Sequence, residues 1–110
     1  MDYDNLLTKT PRAFFYDIQK KRRTLPIRKE VYKLGRERSF VDCCLDRPTV
    51  SRLHAQVTYH DDNFYITDLD STNHTYINGN MILTKKEFIN KNGNIIRFAD
   101  TEMMFKVINI

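Results

Sequence analysis

The chain has 110 residues, 41% of them hydrophobic and 29% charged, with a formal net charge of +4. That is enough for one hydrophobic core and too little for two, and the balance is that of a folded domain rather than a disordered chain. No run approaches the roughly 18 apolar residues of a membrane helix. The opening Met1-Asp2-Tyr3-Asp4-Asn5 is acidic and lacks an apolar stretch, so no secretory leader is expected.

Two-residue periodicity dominates and no segment shows a sustained helical stripe. Residues 1–12 carry no clear period and read as a flexible tail, which leaves a single domain over 13–110. In the first strand Phe14, Tyr16 and Ile18 alternate with Phe15 and Asp17. The basic run Lys20-Lys21-Arg22-Arg23 then turns the chain, and Pro26 restricts Leu25-Pro26-Ile27 to a short edge piece. Val31 to Leu34 is the next strand and ends at Gly35-Arg36. Ala55, Val57 and Tyr59 share one face of a strand over His54 to Tyr59, and Phe64 to Leu69 runs back after the turn cluster His60-Asp61-Asp62-Asn63. Asn78-Gly79-Asn80 joins Thr75-Tyr76-Ile77 to Met81-Ile82-Leu83, a strong hairpin signal. Asn92-Gly93 turns the chain into Ile95-Ile96-Arg97-Phe98, and Met103 to Ile110 is the last strand. Short strands at close spacing with turn chemistry between them imply a β-sandwich or barrel.

The positive charge is uneven. Residues 1–36 carry ten Lys/Arg against four Asp/Glu, and residues 37–110 carry eight against ten. The excess centres on Lys20 to Arg23, followed by Arg28, Lys29, Lys33 and Arg36, and suits phosphates or an acidic partner, or merely a solvated hairpin tip. Cys43 and Cys44 are adjacent, so in a strand they point to opposite faces and an ordinary disulfide between them is disfavoured. The expectation is a reduced, cytoplasmic protein, nuclear if the source is eukaryotic. His54, His60 and His74 form no metal-binding pattern and no C-x-x-C occurs, so no metal site and no cofactor are read.

Three separated segments concentrate chemistry: Gly35-Arg36, Ser51-Arg52-Leu53-His54, and Asp68 to Gly79 with Ser71-Thr72-Asn73-His74-Thr75 at its centre. Each borders an expected strand, so each sits in a loop at a strand end. Brought together they supply two guanidiniums, several hydroxyls and an amide, the donor set of a phosphate dianion. No nucleophile–base–orienter set and no paired acids appear, which points away from an enzyme.

In order and spacing, Gly35-Arg36, Ser51-x-x-His54 and Ser71-x-Asn73-x-Thr75-x-x-Asn78 resemble the forkhead-associated (FHA) family, and the likeness extends from about Phe14 to Val107. The resemblance implies an all-β sandwich of about eleven short strands in two mostly antiparallel sheets, with loops at one end that bind phosphothreonine peptides. By position it implies that Arg36 and Ser51 contact the phosphate, that Arg52 is a second cationic contact, and that Thr72 binds phosphate or shapes a pocket for the threonine methyl. Asn73 would hydrogen-bond the peptide backbone, while Gly35, His54, Thr75 and Asn78 support the site. The implied partner is a protein phosphorylated by a Ser/Thr kinase. His74 departs from the family's glycine, which raises the prospect of a left-handed non-glycine residue whose imidazole adds charge near the phosphate. Asn94 and Ala99 replace the family's Asp and Gly and read as structural drift.

Two other readings of function compete with this one. One is an FHA-like scaffold that assembles without phosphate. The other is a nucleic-acid binder that uses Lys20 to Arg23 with Phe14, Phe15 and Tyr16 as stacking faces. Thr8 and Thr10 add a further expectation, that a phosphorylated tail folds back into the pocket.

Overall fold

A computed structural model describes residues 12–24 and 26–108. Residues 1–11, which hold most of the expected tail with Thr8 and Thr10, lie outside the described residues; Arg12 already belongs to the first strand. The described residues form eleven strands. They are β1 (Arg12–Asp17), β2 (Arg22–Arg23), β3 (Val31–Gly35), β4 (Cys43–Cys44), β5 (Ala55–His60), β6 (Asn63–Asp68), β7 (Thr75–Ile77), β8 (Asn80–Met81), β9 (Glu87–Ile89), β10 (Ile95–Phe98) and β11 (Thr101–Ile108). A single 3₁₀ turn, Arg38–Phe40, stands between β3 and β4.

The strands build two sheets, β2-β1-β11-β10-β7-β8 and β4-β3-β5-β6-β9. Every strand pair is antiparallel except β3 with β4. The inner faces meet in one core, where Phe15, Leu34, Ile66, Ile96, Phe98 and Phe105 are fully buried. Each such side chain removed from water contributes about 1.5–3 kcal/mol. Phe15 packs on both Phe98 and Phe105, at centroid separations of 5.7 and 5.3 Å. The alternation read in the first strand holds: Ala13, Phe15 and Asp17 are buried while Phe14 and Tyr16 are half-buried on the outer face. Phe15 is therefore core, which removes it as a stacking face for a nucleic-acid base.

Turns carry the expected chemistry. Asn78 (φ 50°) and Gly79 (φ 87°) close the β7–β8 hairpin, and Asp61 (φ 50°) and Asp62 (φ 62°) close β5–β6. Two consecutive positive φ values match the right-handed twist of the flanking strands. The basic run divides: residues 18–21 turn, and Arg22–Arg23 form β2 against Tyr16 and Asp17.

Register decides where the loops meet. Leu34 pairs with Ala55 and Ala55 with Asp68, so β3 ends, β5 begins and β6 ends at one level. In the other sheet Phe98 pairs with both Thr75 and Thr101, and Asp17 with Met103. The sheets are tied at this end by His54 to His74, by Thr49 to Asp100 and by Arg47 to Thr101.

Candidate functional site

Gly35 comes first because the site depends on how closely two chain segments approach. A Cβ on Gly35 would lie 2.2 Å from the Arg52 carbonyl oxygen, 2.8 Å from its carbon and 3.0 Å from the Leu53 Cα. All are backbone atoms that cannot swing away, so only glycine fits. The close approach lets the Arg36 N–H donate to the Ser51 carbonyl (2.9 Å) and the Glu37 N–H to the Arg52 carbonyl (3.1 Å). Arg36 itself is exposed, but its Nε donates to the Val50 carbonyl at 3.0 Å. The guanidinium is thereby oriented while its Nη groups have no protein acceptor among the described residues.

Ser51 is held from two sides. Its N–H donates to Nδ1 of His54 at 3.0 Å, and its Oγ accepts the Thr72 N–H at 3.0 Å. A hydroxyl that accepts from an N–H keeps its own proton to give to another acceptor. Arg52 is exposed beside it. His54 is fully buried, with Nε2 2.9 Å from the His74 carbonyl. Since an N–H only donates and a carbonyl only accepts, the ring is the neutral tautomer protonated on Nε2. Burial pushes its pKa below the ordinary histidine value, outweighing the His74 carbonyl and Asp68. His54 thus braces the loop and is not a base facing a ligand.

The 69–74 loop is organised by a residue that sequence reasoning left out of the site. Asp68 is buried, and its Oδ1 accepts the hydroxyls of Ser71 (2.5 Å) and Thr75 (2.6 Å) while Oδ2 accepts the Ser71 N–H (3.2 Å). Burial raises its pKa, but the donors outweigh burial and hold the carboxyl below its usual range. The only sequence signal was an Asp three residues ahead of a Ser at a strand end, a spacing that suits a side chain returning to an N–H. Thr75 therefore secures the loop through Asp68. Asn78 joins its hairpin to β10, accepting the Ile95 N–H at 2.8 Å and donating to Asn94 Oδ1 at 3.1 Å.

Thr72, Asn73 and His74 crown this loop, all exposed. The Asn73 amide donates to the Thr49 carbonyl at 2.8 Å, which leaves Oδ1 facing no donor among the described residues and able to accept a peptide N–H. His74 adopts φ 68°, the left-handed conformation expected where the family carries glycine. Ala99, the second glycine departure, also takes a left-handed conformation, at φ 56°. The structure brings Arg36, Ser51, Arg52, Thr72 and Asn73 to one end of the sandwich, with Gly35, His54 and Thr75 beneath them and Asn78 farther along the hairpin.

This end is a rim of backbone-anchored donors on a two-sheet sandwich, the mark of a ligand-recognition module. The FHA domain model matches residues 32–99, and the chain belongs to the FHA domain family, whose members are interaction modules. A comparison with curated proteins gives no match. Among solved structures, Mycobacterium tuberculosis EmbR in complex with a low-affinity phosphopeptide is 26% identical with a TM-score of 0.81. That likeness covers 97% of this chain but 29% of EmbR, so the chain spans under a third of that relative. The MEK1 FHA domain in complex with a HOP1 phosphothreonine peptide is 25% identical with a TM-score of 0.74, covering 88% of this chain and 97% of that one. The FHA domain of an Arabidopsis thaliana hypothetical protein shares the fold at a TM-score of 0.83 and 18% identity, over 92% of this chain and 89% of that one.

Proposed function

We propose that this domain binds a phosphothreonine segment of a partner protein and recruits that partner without catalysis. The observation that carries the reading is the state of Arg36: one guanidinium nitrogen is fixed on the Val50 carbonyl and the others are left for a ligand. A planar, oriented guanidinium suits a dianion with three acceptor oxygens. Ser51 adds a hydroxyl proton, Arg52 a second charge, Thr72 a contact to phosphate or to the threonine methyl, and Asn73 an acceptor for the peptide backbone. EmbR and the MEK1 FHA domain, the similar proteins of at least 25% identity described above, were both solved with phosphopeptides.

A phosphate-independent scaffold is the reading set against this one. It gives no reason for a braced guanidinium, a serine hydroxyl with a spare proton and an amide with a spare acceptor on one rim. Arg36→Ala tests the difference. It is expected to cost about 2–5 kcal/mol of phosphopeptide binding, the range for truncating one member of a desolvated charge pair, read by calorimetry on a folded variant. Binding within threefold of wild type would show that Arg36 is not the phosphate contact.

A further inference from the structure

The basic run Lys20 to Arg23 plays no part in the phosphate rim, yet it lies on the same end of the molecule. β2 closes one flank of its sheet and β4 the corresponding flank of the other. Between them is an open groove of about 130 Å³, lined by Lys20, Arg22, Arg23 and Arg47 against Asp17 and Asp46. Arg22 pairs directly with Asp17 and so shares its inward face, whereas Arg23 lies over the outer Phe14 ring at 5.4 Å.

Of the two carboxylates, Asp17 is already committed. It accepts the N–H groups of Gln19 and Lys20 at 3.0 Å each and the Arg47 guanidinium at 3.3 Å. Burial opposes its charge, but these donors outweigh burial and hold the carboxyl below its usual range. Lys20, Arg22 and Arg23 are exposed and have no carboxylate partner among the described residues. The groove therefore carries cations in excess of its own acids.

The groove and the phosphate rim share the chain stretch that carries Arg47 and Thr49. Arg47 is two residues from Thr49, whose carbonyl holds Asn73 and whose hydroxyl donates to Asp100. Arg47 itself donates to the Thr101 hydroxyl at 3.4 Å. Two residues of chain span at most about 7 Å, and an extended peptide advances about 3.3 Å per residue. Arg47, on the groove wall, thus lies within about two extended residues of the Thr49 backbone that holds Asn73.

We propose that this groove is a second anion subsite, which takes a carboxylate or a second phosphate on the same partner segment. The inference rests on the phosphothreonine reading and adds a specificity element to it.

The test is a titration of phosphothreonine peptides with neutral flanks, into which one Glu or one phosphoserine is placed three to six positions before or after the phosphothreonine. Wild type should gain about fivefold or more in affinity at some position on one side of the phosphothreonine, more for phosphoserine than for Glu, and the gain should shrink at high salt. A Lys20→Gln/Arg22→Gln variant should lose the gain yet bind the neutral-flank peptide within twofold of wild type. No position gaining twofold, or a gain that survives in the variant, would overturn the subsite while leaving the phosphate rim intact. Failure of wild type to bind the neutral-flank peptide would remove the phosphothreonine reading and the subsite together. A plain oligonucleotide that competes as well as the acidic peptide would overturn it in favour of general polyanion binding.

Discussion

At Gly35 a single hydrogen atom in place of a methyl group permits two backbone ties of the rim, Arg36 to Ser51 and Glu37 to Arg52. Gly35→Ala would push a Cβ into the Arg52 carbonyl, 2.2 Å away. The expected loss of stability is about 1–3 kcal/mol, the range for forced overpacking, measured by urea unfolding, with a larger relative loss of phosphopeptide affinity because Arg36 and Ser51 are displaced. Arg36→Lys separates charge from geometry. An ammonium cannot both sit on the Val50 carbonyl and present a planar fork, so affinity should fall by about tenfold or more. His54 supplies the pH dependence. Its folded pKa lies below the ordinary 6.5, so the unfolded chain binds the proton first. Its contribution to stability is complete above about 6.5 and is lost as pH falls through the folded value. Protonation of Nδ1 also breaks the bond to the Ser51 N–H. An NMR titration should find the neutral Nε2–H form persisting below pH 6.5; a ring that titrates above that value would contradict the bracing role.

The elements show how far sequence carried. The β7–β8 hairpin was legible because Asn78-Gly79 leaves few alternatives to two left-handed residues, and β5, β6, β10 and β11 followed from alternation. β2, β4 and β9 were not, because two or three residues at a sheet edge display no period. β4 in addition pairs in parallel with β3 after a crossing that no local signal encodes. Of the site, the rim residues were legible as motif positions. The Asp68 hub and the Thr49 and Val50 carbonyls were not, since they become partners only once the loops are folded. The chain has three glycines, and eight non-glycine residues take positive φ among the described residues. His74 is one of them and is exposed, so His74→Gly should stabilise the domain by about 0.5–1 kcal/mol, the left-handed penalty less the entropy of glycine, read as a rise in Tm. On the opposite end, His60 bridges Asp61 (3.0 Å) and Glu87 (2.8 Å) and ties the β5–β6 hairpin to β9. The hydrogen bonds its ring donates to the Glu87 carboxylate first and the Asp61 carboxylate second raise its pKa above 6.5. This tie is therefore present below that pH and released as pH rises through the folded value, the opposite direction from His54.

Across the whole molecule, recognition is concentrated at one end by strand register rather than by any single motif. β3, β5 and β6 of one sheet and β1, β7, β10 and β11 of the other all terminate there, and side chains from the 45–54 stretch lock the two sheets together. Of the basic residues in the first third of the chain, Lys20 to Arg23 reach the same end through the β1–β2 turn, and the proposed second anion subsite rests on them. Calorimetric titration with phosphothreonine, phosphoserine and unphosphorylated peptide pools of matched composition addresses the central claim most directly. Binding to the phosphothreonine pool, weaker or absent for phosphoserine and absent without phosphate, is the predicted result. Equal binding to all three pools, or to none, would contradict a phosphothreonine reader and favour assembly without phosphate.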